Sequence, residues 1–329
     1  MDSFDVNNIF SLTGNTEAFS GLCTDIFRMQ YSHNPVYRQW CGLMGYTPGS
    51  GKTPAEIPAL PISFFKTHTV VTGTFQPEAV FESSGTTGMV TSRHMVKDAS
   101  LYRKSFRNAF SLFYGDVSQW CVLGLLPSYL ERQHSSLVYM VDDLIRNSGH
   151  KKSGFYLNEF AALSRTLQQL EAAGQRTLLI GVTFGLLDFA EAYPQQLQHT
   201  VVMETGGMKG RKKEMTRAEV HALLKSGLGV QTVHSEYGMT ELLSQAYSKG
   251  EGRLVCPPWM RVLVRDEEDP LQVRTTGRGL LQIIDLANIH SCSFIATEDV
   301  GIVHADGSFE VWGRLDNSDV RGCSLLVVK

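Results

Sequence analysis

The feature that most limits the possible folds is a central run of apolar segments that alternate with amphipathic ones. Leu-Leu-Ile-Gly-Val at 178–182 is continuously apolar, which is typical of a strand in a sheet covered on both faces. Similar runs, bounded by turn residues, recur between stretches of helical periodicity, so the pattern predicts repeated β-α units. The predicted strands are 120–126, 177–183, 200–204, 230–234, 261–264 and 280–286, and the predicted helices are 17–31, 98–113, 135–146, 159–173, 184–193 and 217–225.

The pattern changes on both sides of this central body, which spans residues 76–254. Over 255–329 the apolar runs become shorter, turn residues punctuate them and helical periodicity ends, which predicts a β-rich C-terminal part. Residues 1–75 are first helical and then proline-rich, as expected of a segment that wraps over the surface. A chain of 329 residues is long enough for one large domain or for two.

Composition excludes several classes of protein. Hydrophobic residues make up 43% of the chain, and the formal net charge of −3 gives no general attraction to nucleic acid or to anionic membranes. No apolar run approaches the ~20 residues that span a bilayer, and the N-terminus lacks the pattern of a signal peptide. The cysteines are scattered without a C-x-x-C pair, which argues against a zinc site and predicts a cytoplasmic protein. They are Cys23, Cys41, Cys121, Cys256, Cys292 and Cys323.

A loop at residues 83–88 combines two glycines with hydroxyl side chains. It follows the apolar stretch Ala-Val-Phe at 79–81, which is typical of a strand end. Glycine lets the backbone approach a ligand closely, and bare N–H and short O–H groups are donors for an anion. The loop therefore predicts a polyphosphate ligand and nucleotide chemistry, with a plain surface turn as the alternative. Its residues are Ser83, Ser84, Gly85, Thr86, Thr87 and Gly88.

Three later segments complete a set of four motifs. Residues 235–241 read Ser-Glu-Tyr-Gly-Met-Thr-Glu, residues 297–301 read Thr-Glu-Asp-Val-Gly, and residues 313–322 read Gly-Arg-Leu-Asp-Asn-Ser-Asp-Val-Arg-Gly. With the loop at 83–88, and in this order, they resemble the motifs of adenylate-forming enzymes, which include acyl- and aryl-CoA ligases, luciferases and the adenylation domains of peptide synthetases. The resemblance implies an α/β large domain of stacked sheets flanked by helices, an α/β nucleotide-binding body over 76–254, and ATP and Mg²⁺ as cofactors.

One branch of these enzymes is matched more closely. Leu-Pro-Ile-Ser-Phe-Phe-Lys at 60–66, Ser-Arg-His at 92–94, Leu-Pro-Ser-Tyr-Leu at 126–130 and Arg-Gly-Cys at 321–323 are similar to the acyl-protein synthetases of bacterial bioluminescence, the LuxE type. The resemblance runs over nearly the whole chain. It departs from general ligases in two ways, because Met-Val-Thr-Ser-Arg at 89–93 replaces their usual Pro-Lys and because the C-terminal lid domain with its catalytic lysine is expected to be absent.

The resemblance implies contacts to the nucleoside. Asp299 would accept hydrogen bonds from both ribose hydroxyls, and its neighbour Glu298 is the competing turn acid. Arg314 resembles the arginine that contacts the ribose or the α-phosphate, and Tyr237 would stack on the adenine. The glycines assigned in the same way are Gly206 and Gly207, as a backbone wall against the adenine or a plain turn, and Gly238, at a sharp turn.

Contacts to the phosphates follow from the same resemblance. The loop at 83–88 would donate to the β- and γ-phosphates, and Thr240 to the α-phosphate. Glu241 would hold Mg²⁺, a hard ion that prefers oxygen ligands, or would otherwise be a first-turn helix acid. The fork of Arg93 suits phosphate and could replace the missing lysine, with a surface arginine as the alternative. Lys66 could pair with the carboxylate of the substrate.

Cys323 is the cysteine to which the resemblance gives a chemical role. In the family that this chain resembles, the acyl group moves from the adenylate to a cysteine near the C-terminus. A thiolate is a good acyl acceptor, and the cation of Arg321 could lower the thiol pKa. The alternative is a buried strand cysteine, because Cys323 begins the alternating run Cys-Ser-Leu-Leu-Val-Val.

These implications predict an enzyme. It would activate a carboxylic acid, expected to be a fatty acid, with ATP, and it would pass the acyl group through Cys323 to an acyl-reductase or acyl-carrier partner. Two other functions remain open. A shortened acyl-CoA ligase would use coenzyme A as the acceptor, and a non-catalytic scaffold subunit would bind ATP without releasing pyrophosphate.

Overall fold

The structure is a computed structural model that describes residues 5–50, 53–83, 90–126, 134–206 and 215–315. Across these segments, none of the helices combines the length and the apolar character needed to cross a bilayer. Short 3₁₀ helices occur at Pro54–Glu56 and Val117–Gln119. The α-helices are α1 (Asn7–Phe10), α2 (Thr16–His33), α3 (Pro35–Leu43), α4 (Phe64–Thr67), α5 (Ala99–Tyr114), α6 (Ser136–Ser148), α7 (Phe160–Ala172), α8 (Thr183–Ala192) and α9 (Arg217–Leu228).

The strands form a parallel sheet, a C-terminal sheet and a two-stranded hairpin. The parallel sheet has the order β5-β4-β6-β7-β8-β9, in which only β9 is antiparallel to its neighbour among the described strands. The C-terminal sheet has the order β1-β13-β12-β10-β11 with β14 paired to β13, and the hairpin is β2-β3. The strands are β1 (Leu60–Pro61), β2 (Ala79–Glu82), β3 (Arg93–Val96), β4 (Cys121–Leu125), β5 (Gly154–Tyr156), β6 (Thr177–Val182), β7 (Thr200–Thr205), β8 (Val233–Tyr237), β9 (Ala246–Ser248), β10 (Met260–Arg265), β11 (Val273–Arg274), β12 (Gly277–Asp285), β13 (Phe294–Val303) and β14 (Phe309–Arg314).

Helices cover both faces of the parallel sheet. Along β6, Leu178 and Ile180 belong to the core cluster that contains buried residues of α5 and α6. The intervening Leu179 belongs to a second cluster with α7, α8 and α9. Successive side chains of a strand point to opposite faces of the sheet, and helices cover both faces here, so every residue of β6 is buried. The predicted α/β class with a sheet covered on both faces is confirmed.

The C-terminal sheet is built from both ends of the chain. Strand β12 pairs antiparallel with β10 and with β13, and β13 pairs antiparallel with β14. Strand β1 instead lies parallel to β13, with Leu60 opposite Ile295. Helices α2 and α3 pack on this sheet, where the rings of Tyr37 and Phe294 stack at 6.1 Å and Phe27 meets Phe294 edge to face at 6.5 Å. The described part of 1–75 therefore contributes buried side chains to this sheet. The division of the chain at residues 75 and 254 stays a prediction.

Helix boundaries follow local capping chemistry. Helix α5 begins after Asp98, whose carboxylate accepts the Ser100 N–H over 2.7 Å. Helix α9 begins after Thr216, which forms a reciprocal capping box with Glu219, and it ends at Gly229 with φ +66°. The helices predicted from periodicity therefore agree with the structure to within a few residues.

One predicted strand lies at a different position along the chain. The strand expected at 230–234 is β8, Val233–Tyr237, because Val230 directly follows the left-handed Gly229 that ends α9. Pairing with β7 fixes the register, with Val202 opposite Val233 and Thr205 opposite Glu236. The shift matters for function because it places Tyr237 at the end of a strand.

A pair of leucine truncations tests this core. Leu179→Ala removes a side chain that is 0% exposed, so we expect a loss of about 2–5 kcal/mol in the free energy of unfolding. Leu223→Ala is the matched control, because Leu223 is 52% exposed, and we expect a change below about 1 kcal/mol. Urea unfolding followed by circular dichroism measures both, and equal losses would contradict the described packing.

Candidate active site

Three side chains from distant motifs meet at one carboxylate. Asp299 on β13 lies opposite Arg314 on β14, and the Arg314 Nε donates to Asp299 Oδ1 over 2.9 Å. The hydroxyl of Tyr237, at the end of β8, donates to Asp299 Oδ2 over 2.7 Å. Asp299 is 4% exposed, whereas the Arg314 side chain is 58% exposed, so a buried carboxylate is paired with a guanidinium that is accessible from the surface. The structure thus brings together three residues to which the resemblance assigns nucleoside contacts.

Asp299 keeps capacity for further hydrogen bonds. Burial, with the neighbouring Asp299 carboxylate, raises the pKa of Tyr237 well above its usual range, so the phenol stays protonated and acts as the donor. Each carboxylate oxygen has two lone pairs, and the described contacts use one on each. The Tyr237 ring is held edge to face by Phe309 at 5.3 Å. The cluster can therefore accept hydroxyl donors without losing its own contacts.

Gly206 lies where β7 ends. Its φ of +70° is in the left-handed region, which glycine adopts without strain. The hydroxyl of Thr183, which directly follows β6 and begins α8, lies 2.8 Å from the Gly206 carbonyl oxygen and 3.1 Å from Glu204 Oε2. Gly207 lies outside the described residues, so only the first member of the expected glycine pair is placed.

Gly238 follows Tyr237 in a crowded turn. A Cβ at this position would lie 2.5 Å from Glu236 Oε1, so a larger residue would displace that carboxylate. Glu236 also accepts a hydrogen bond from the Thr205 hydroxyl. Because Thr205 precedes Gly206, Glu236 joins the end of β7 to the turn at Gly238.

Thr240 and Glu241 lie in the loop 238–245 between β8 and β9. His94 Nδ1 lies 2.9 Å from the Thr240 carbonyl oxygen, and Asn288 Nδ2 donates to the Glu241 carbonyl oxygen over 2.7 Å. Glu241 is 4% exposed. Burial lowers the pKa of His94 to about 4, so its imidazole is neutral at neutral pH and donates its Nδ1 proton to the carbonyl.

The hairpin β2-β3 carries the start of the glycine-rich loop. The Ser83 N–H donates to the Ser92 carbonyl over 3.0 Å, and the Ser92 N–H donates to Ser83 Oγ over 2.9 Å. Arg93 is paired across the hairpin with Glu82, and its Nε lies 3.6 Å from Glu82 Oε1. Ser83 and Arg93 therefore flank the mouth of this loop. The remaining predicted loop residues, Ser84, Gly85, Thr86, Thr87 and Gly88, lie outside the described part of the chain.

Lys66 is placed on the side of β3. It lies in the last turn of α4 and is exposed, and it forms no ion pair with another described residue. Its neighbour Phe65 is buried and packs edge to face on His94 at 5.9 Å. Lys66 is therefore near the hairpin that carries Arg93 and is accessible to a ligand.

The described cysteines are poor nucleophiles. Burial raises the pKa of all five thiols above the usual value, so they are protonated at neutral pH. All five are free. Cys323, to which the resemblance assigns acyl transfer, lies outside the described residues. The five are Cys23, Cys41, Cys121, Cys256 and Cys292.

Sequence reasoning missed the side chains that hold the loop 238–245. Asp285 accepts the N–H groups of Leu243 and Ser244 over 2.7 and 3.0 Å, and Asn288 holds the carbonyl of Glu241. Both Asp285 and Asn288 are 0% exposed. The available signal was the appearance of Asp285 directly after the apolar pair Ile283 and Ile284, with Asn288 three residues later, because buried polar groups need a partner.

Comparisons with known proteins agree with the motifs. No protein-family profile matches the chain. The chain is 21% identical over 343 residues to the long-chain-fatty-acid–luciferin-component ligase of Vibrio harveyi, in an alignment that covers 96% of this chain and 89% of the relative. The predicted resemblance to the LuxE type is thereby confirmed, and the chain is similar to enzymes named as ligases.

Solved structures show the same fold. An open conformation of 2-hydroxyisobutyryl-CoA ligase in complex with 2-HIB-AMP and CoA matches with a TM-score of 0.65 at 13% identity, over 92% of this chain and 70% of that protein. The ATP-bound RpMatB-BxBclM chimera B1 matches with a TM-score of 0.53 at 17% identity, over 72% of this chain. The match spans 47% of the chimera, so it corresponds to about half of that longer protein. The fold of the large domain of adenylate-forming ligases is confirmed.

Glu236 gives a pH-dependent prediction. Burial raises its pKa to about 7, against the opposing hydrogen bond from Thr205, and the nearby Glu204 acts in the same direction as burial. The folded state therefore holds the proton of the Glu236 carboxyl more tightly than the unfolded chain does. The stabilisation of the folded state by this proton is complete below the unfolded pKa of 4.5 and is lost as the pH rises through about 7.

We therefore expect Glu236→Gln to remove this fall in stability. The wild type should lose on the order of 3 kcal/mol relative to the variant between pH 4.5 and 7. Thermal or urea unfolding at a series of pH values measures the difference between the two proteins, which includes the electrostatic coupling of Glu236 to Glu204. Parallel stability curves would show that Glu236 titrates normally.

Proposed function

We propose that this chain activates a carboxylic acid, with ATP, as an acyl-adenylate. The observation that carries the proposal is the meeting of Tyr237, Asp299 and Arg314, with hydrogen bonds of 2.7 and 2.9 Å to one carboxylate. These residues come from three segments whose order resembles adenylate-forming enzymes. A shared contact between them is what a single nucleotide site requires.

The nucleoside would lie between the parallel sheet and β13-β14. The free lone pairs of Asp299 would accept the ribose hydroxyls, and the exposed guanidinium of Arg314 would reach the ribose or the α-phosphate. The ring of Tyr237 would stack on the adenine, against the backbone at Gly206. Ligands of open α/β sheets bind at the carboxyl ends of the strands, where Gly206 and Tyr237 both lie.

The phosphates and Mg²⁺ would lie toward the loop at 83–88. The buried carboxylate of Glu241 is an oxygen donor of the type that Mg²⁺ accepts, and this ion is commonly bound by one or two carboxylates together with substrate phosphates. Among the described residues no cluster of three or more His, Cys, Asp or Glu side chains suits a metal, so the ion would take most of its ligands from ATP and water. When bound, Mg²⁺ neutralises charge on the phosphate oxygens. Thr240, Ser83 and Arg93 would supply further donors.

The reaction would proceed in two steps. A carboxylate oxygen of the acid attacks the α-phosphorus of ATP, the bond to the β-phosphate oxygen breaks, and pyrophosphate leaves. The Cys323 thiolate then attacks the acyl carbon, the bond to the AMP oxygen breaks, and AMP leaves with a thioester on the enzyme. The thiol proton passes to solvent. Positive charge for the first step would come from Arg93 or Lys66.

Two observations favour Cys323 and a fatty acid. Four of the five described cysteines are buried and Cys256 is partly exposed, and the raised pKa keeps all five thiols protonated at neutral pH, which favours Cys323 as the acyl acceptor. The Vibrio harveyi relative is named for a long-chain fatty acid and a luciferin component, which supports a fatty acid here. Transfer to an acyl-reductase or acyl-carrier partner is proposed from the resemblance of the motifs.

A direct assay tests the proposal. With ATP, Mg²⁺ and fatty acids of graded length, we expect pyrophosphate release and a labile acyl adduct on the protein, detected by mass spectrometry. Cys323→Ser should keep pyrophosphate release but lose the hydroxylamine-sensitive thioester, and Cys256→Ser is the matched control. Retained turnover of Cys323→Ser with coenzyme A would instead favour an acyl-CoA ligase, and ATP binding without pyrophosphate release would favour a scaffold subunit.

Asp299 gives a second test. Asp299→Asn keeps the shape but replaces one acceptor oxygen with a donor, so we expect the KM for ATP to rise about 10- to 100-fold through the loss of charged hydrogen bonds. Asp306→Asn is the control on the turn of the same hairpin, because Asp306 is 62% exposed and pairs with Arg253. An unchanged KM in Asp299→Asn would remove Asp299 from the nucleotide site.

A further inference from the structure

We propose that Asn288 and His94 are positioning residues that fix the main chain at Thr240 and Glu241, so that the Glu241 carboxylate is presented to the Mg²⁺ that accompanies ATP. This inference rests on the proposed function and extends it to residues outside the four motifs. It concerns the geometry of the loop 238–245, which carries Glu241 but has no strand partner of its own.

Besides the hydrogen bond from the Leu242 N–H to the Met239 carbonyl, side chains hold the backbone of this loop. Residues of a loop make no ladder contacts, and a buried carbonyl without a donor costs free energy. The carbonyl of Thr240 receives His94 Nδ1 at 2.9 Å, and the next carbonyl, of Glu241, receives Asn288 Nδ2 at 2.7 Å. His94 is 1% exposed and Asn288 is 0% exposed, so these donors cannot easily be replaced by water. Two consecutive peptide planes are thereby fixed.

The other side of Glu241 is held as well. Asp285 Oδ2 accepts the N–H of Leu243 at 2.7 Å and the N–H of Ser244 at 3.0 Å, and Asp285 Oδ1 accepts the Ser244 hydroxyl at 2.5 Å. Asp285 ends β12 and lies three residues before Asn288, so this short segment holds the main chain on the C-terminal side of the Glu241 Cα, while His94 holds it on the N-terminal side. The backbone at Glu241 cannot rotate without breaking a contact at one end.

His94 also connects the loop to the phosphate side of the site. It lies on β3 next to Arg93, and β3 pairs with β2, with His94 opposite Phe81. The glycine-rich loop begins at Ser83, directly after β2, and belongs to the connection between the two strands of this hairpin. The contact from His94 to Thr240 therefore sets the separation between Glu241 and the hairpin that carries the glycine-rich loop. Mg²⁺ must contact both a protein carboxylate and the phosphates, so this separation determines whether it can.

The chain offers a matched control on the far side of the same segment. The side-chain amide of Gln30 donates to the carbonyls of Asn288 and Ile289, each at 3.1 Å, and Gln30 is 0% exposed. Gln30→Ala and Asn288→Ala therefore each remove one buried side-chain amide that donates to a main-chain carbonyl. Only Asn288→Ala removes a contact with the loop that carries Glu241.

The experiment separates Mg²⁺-dependent from Mg²⁺-independent binding. Calorimetry on the full chain measures the affinity for AMP without Mg²⁺ and the affinity for ATP over a Mg²⁺ titration. For Asn288→Ala we expect AMP affinity within about twofold of wild type, and about a tenfold rise in the Mg²⁺ concentration that gives half of the gain in ATP affinity. Gln30→Ala should lose stability but keep the wild-type Mg²⁺ dependence.

A second pair of variants covers the case in which Asn288→Ala fails to fold. His94→Gln keeps a side-chain N–H donor and should stay near wild type, whereas His94→Phe keeps the ring but lacks the donor and should raise the Mg²⁺ requirement. Equal Mg²⁺ shifts in Asn288→Ala and Gln30→Ala, no shift in Asn288→Ala, or equal behaviour of the two His94 variants would overturn the inference alone. A wild-type chain that binds no ATP at any Mg²⁺ concentration would overturn the proposed function and the inference together.

Discussion

The buried carboxylate of Asp299 is the constraint on which the site depends. A carboxylate that is 4% exposed needs charged or hydrogen-bonding partners, because its hydration is lost. Arg314 provides one through the register of β13 and β14, and Tyr237 provides the other from the parallel sheet. The same contact therefore neutralises a buried charge and joins two separate sheets. Anything that moves either sheet relative to the other must disturb this contact.

The parallel sheet determines where the remaining groups lie. Strands β6, β7 and β8 run in the same direction, so Thr183, Gly206 and Tyr237 all come at their carboxyl ends. Buried polar contacts join these ends, since Thr183 reaches the carbonyl of Gly206 and Thr205 reaches Glu236. A rigid edge of this type suits recognition of a planar base, because little conformational freedom is lost when the ligand binds.

Much of the fold and part of the site could be predicted from the sequence, for physical reasons. Runs such as that of β6 are buried on both faces, so their continuously apolar pattern is a direct signal of a strand. Thr216 marks the start of α9 through its capping box, and Gly229 marks its end through its left-handed conformation. The meeting of Tyr237, Asp299 and Arg314 was implied only by resemblance, because residues so far apart carry no local signal of contact.

The support around Glu241 could not be predicted in this way. His94, Asp285 and Asn288 act on backbone atoms of a loop, and polar residues in an apolar stretch indicate that partners exist without indicating which backbone atoms they are. Hydrogen bonds from side chains to distant main-chain groups are visible only after the tertiary structure is known. The strand predicted at 230–234 was misplaced along the chain for a related reason, since pairing with β7, rather than propensity, determines where β8 begins.

The parallel pairing of β1 with β13 has a consequence for biosynthesis. Leu60 pairs with Ile295, and Gln30 bonds to a carbonyl 258 positions later. During translation the early helices therefore leave the ribosome long before their partners exist, with Phe27 and Tyr37 uncovered in the meantime. Contacts of such long range slow folding and leave apolar surface open to self-association, so production of this protein at high level should benefit from slower synthesis and from chaperones.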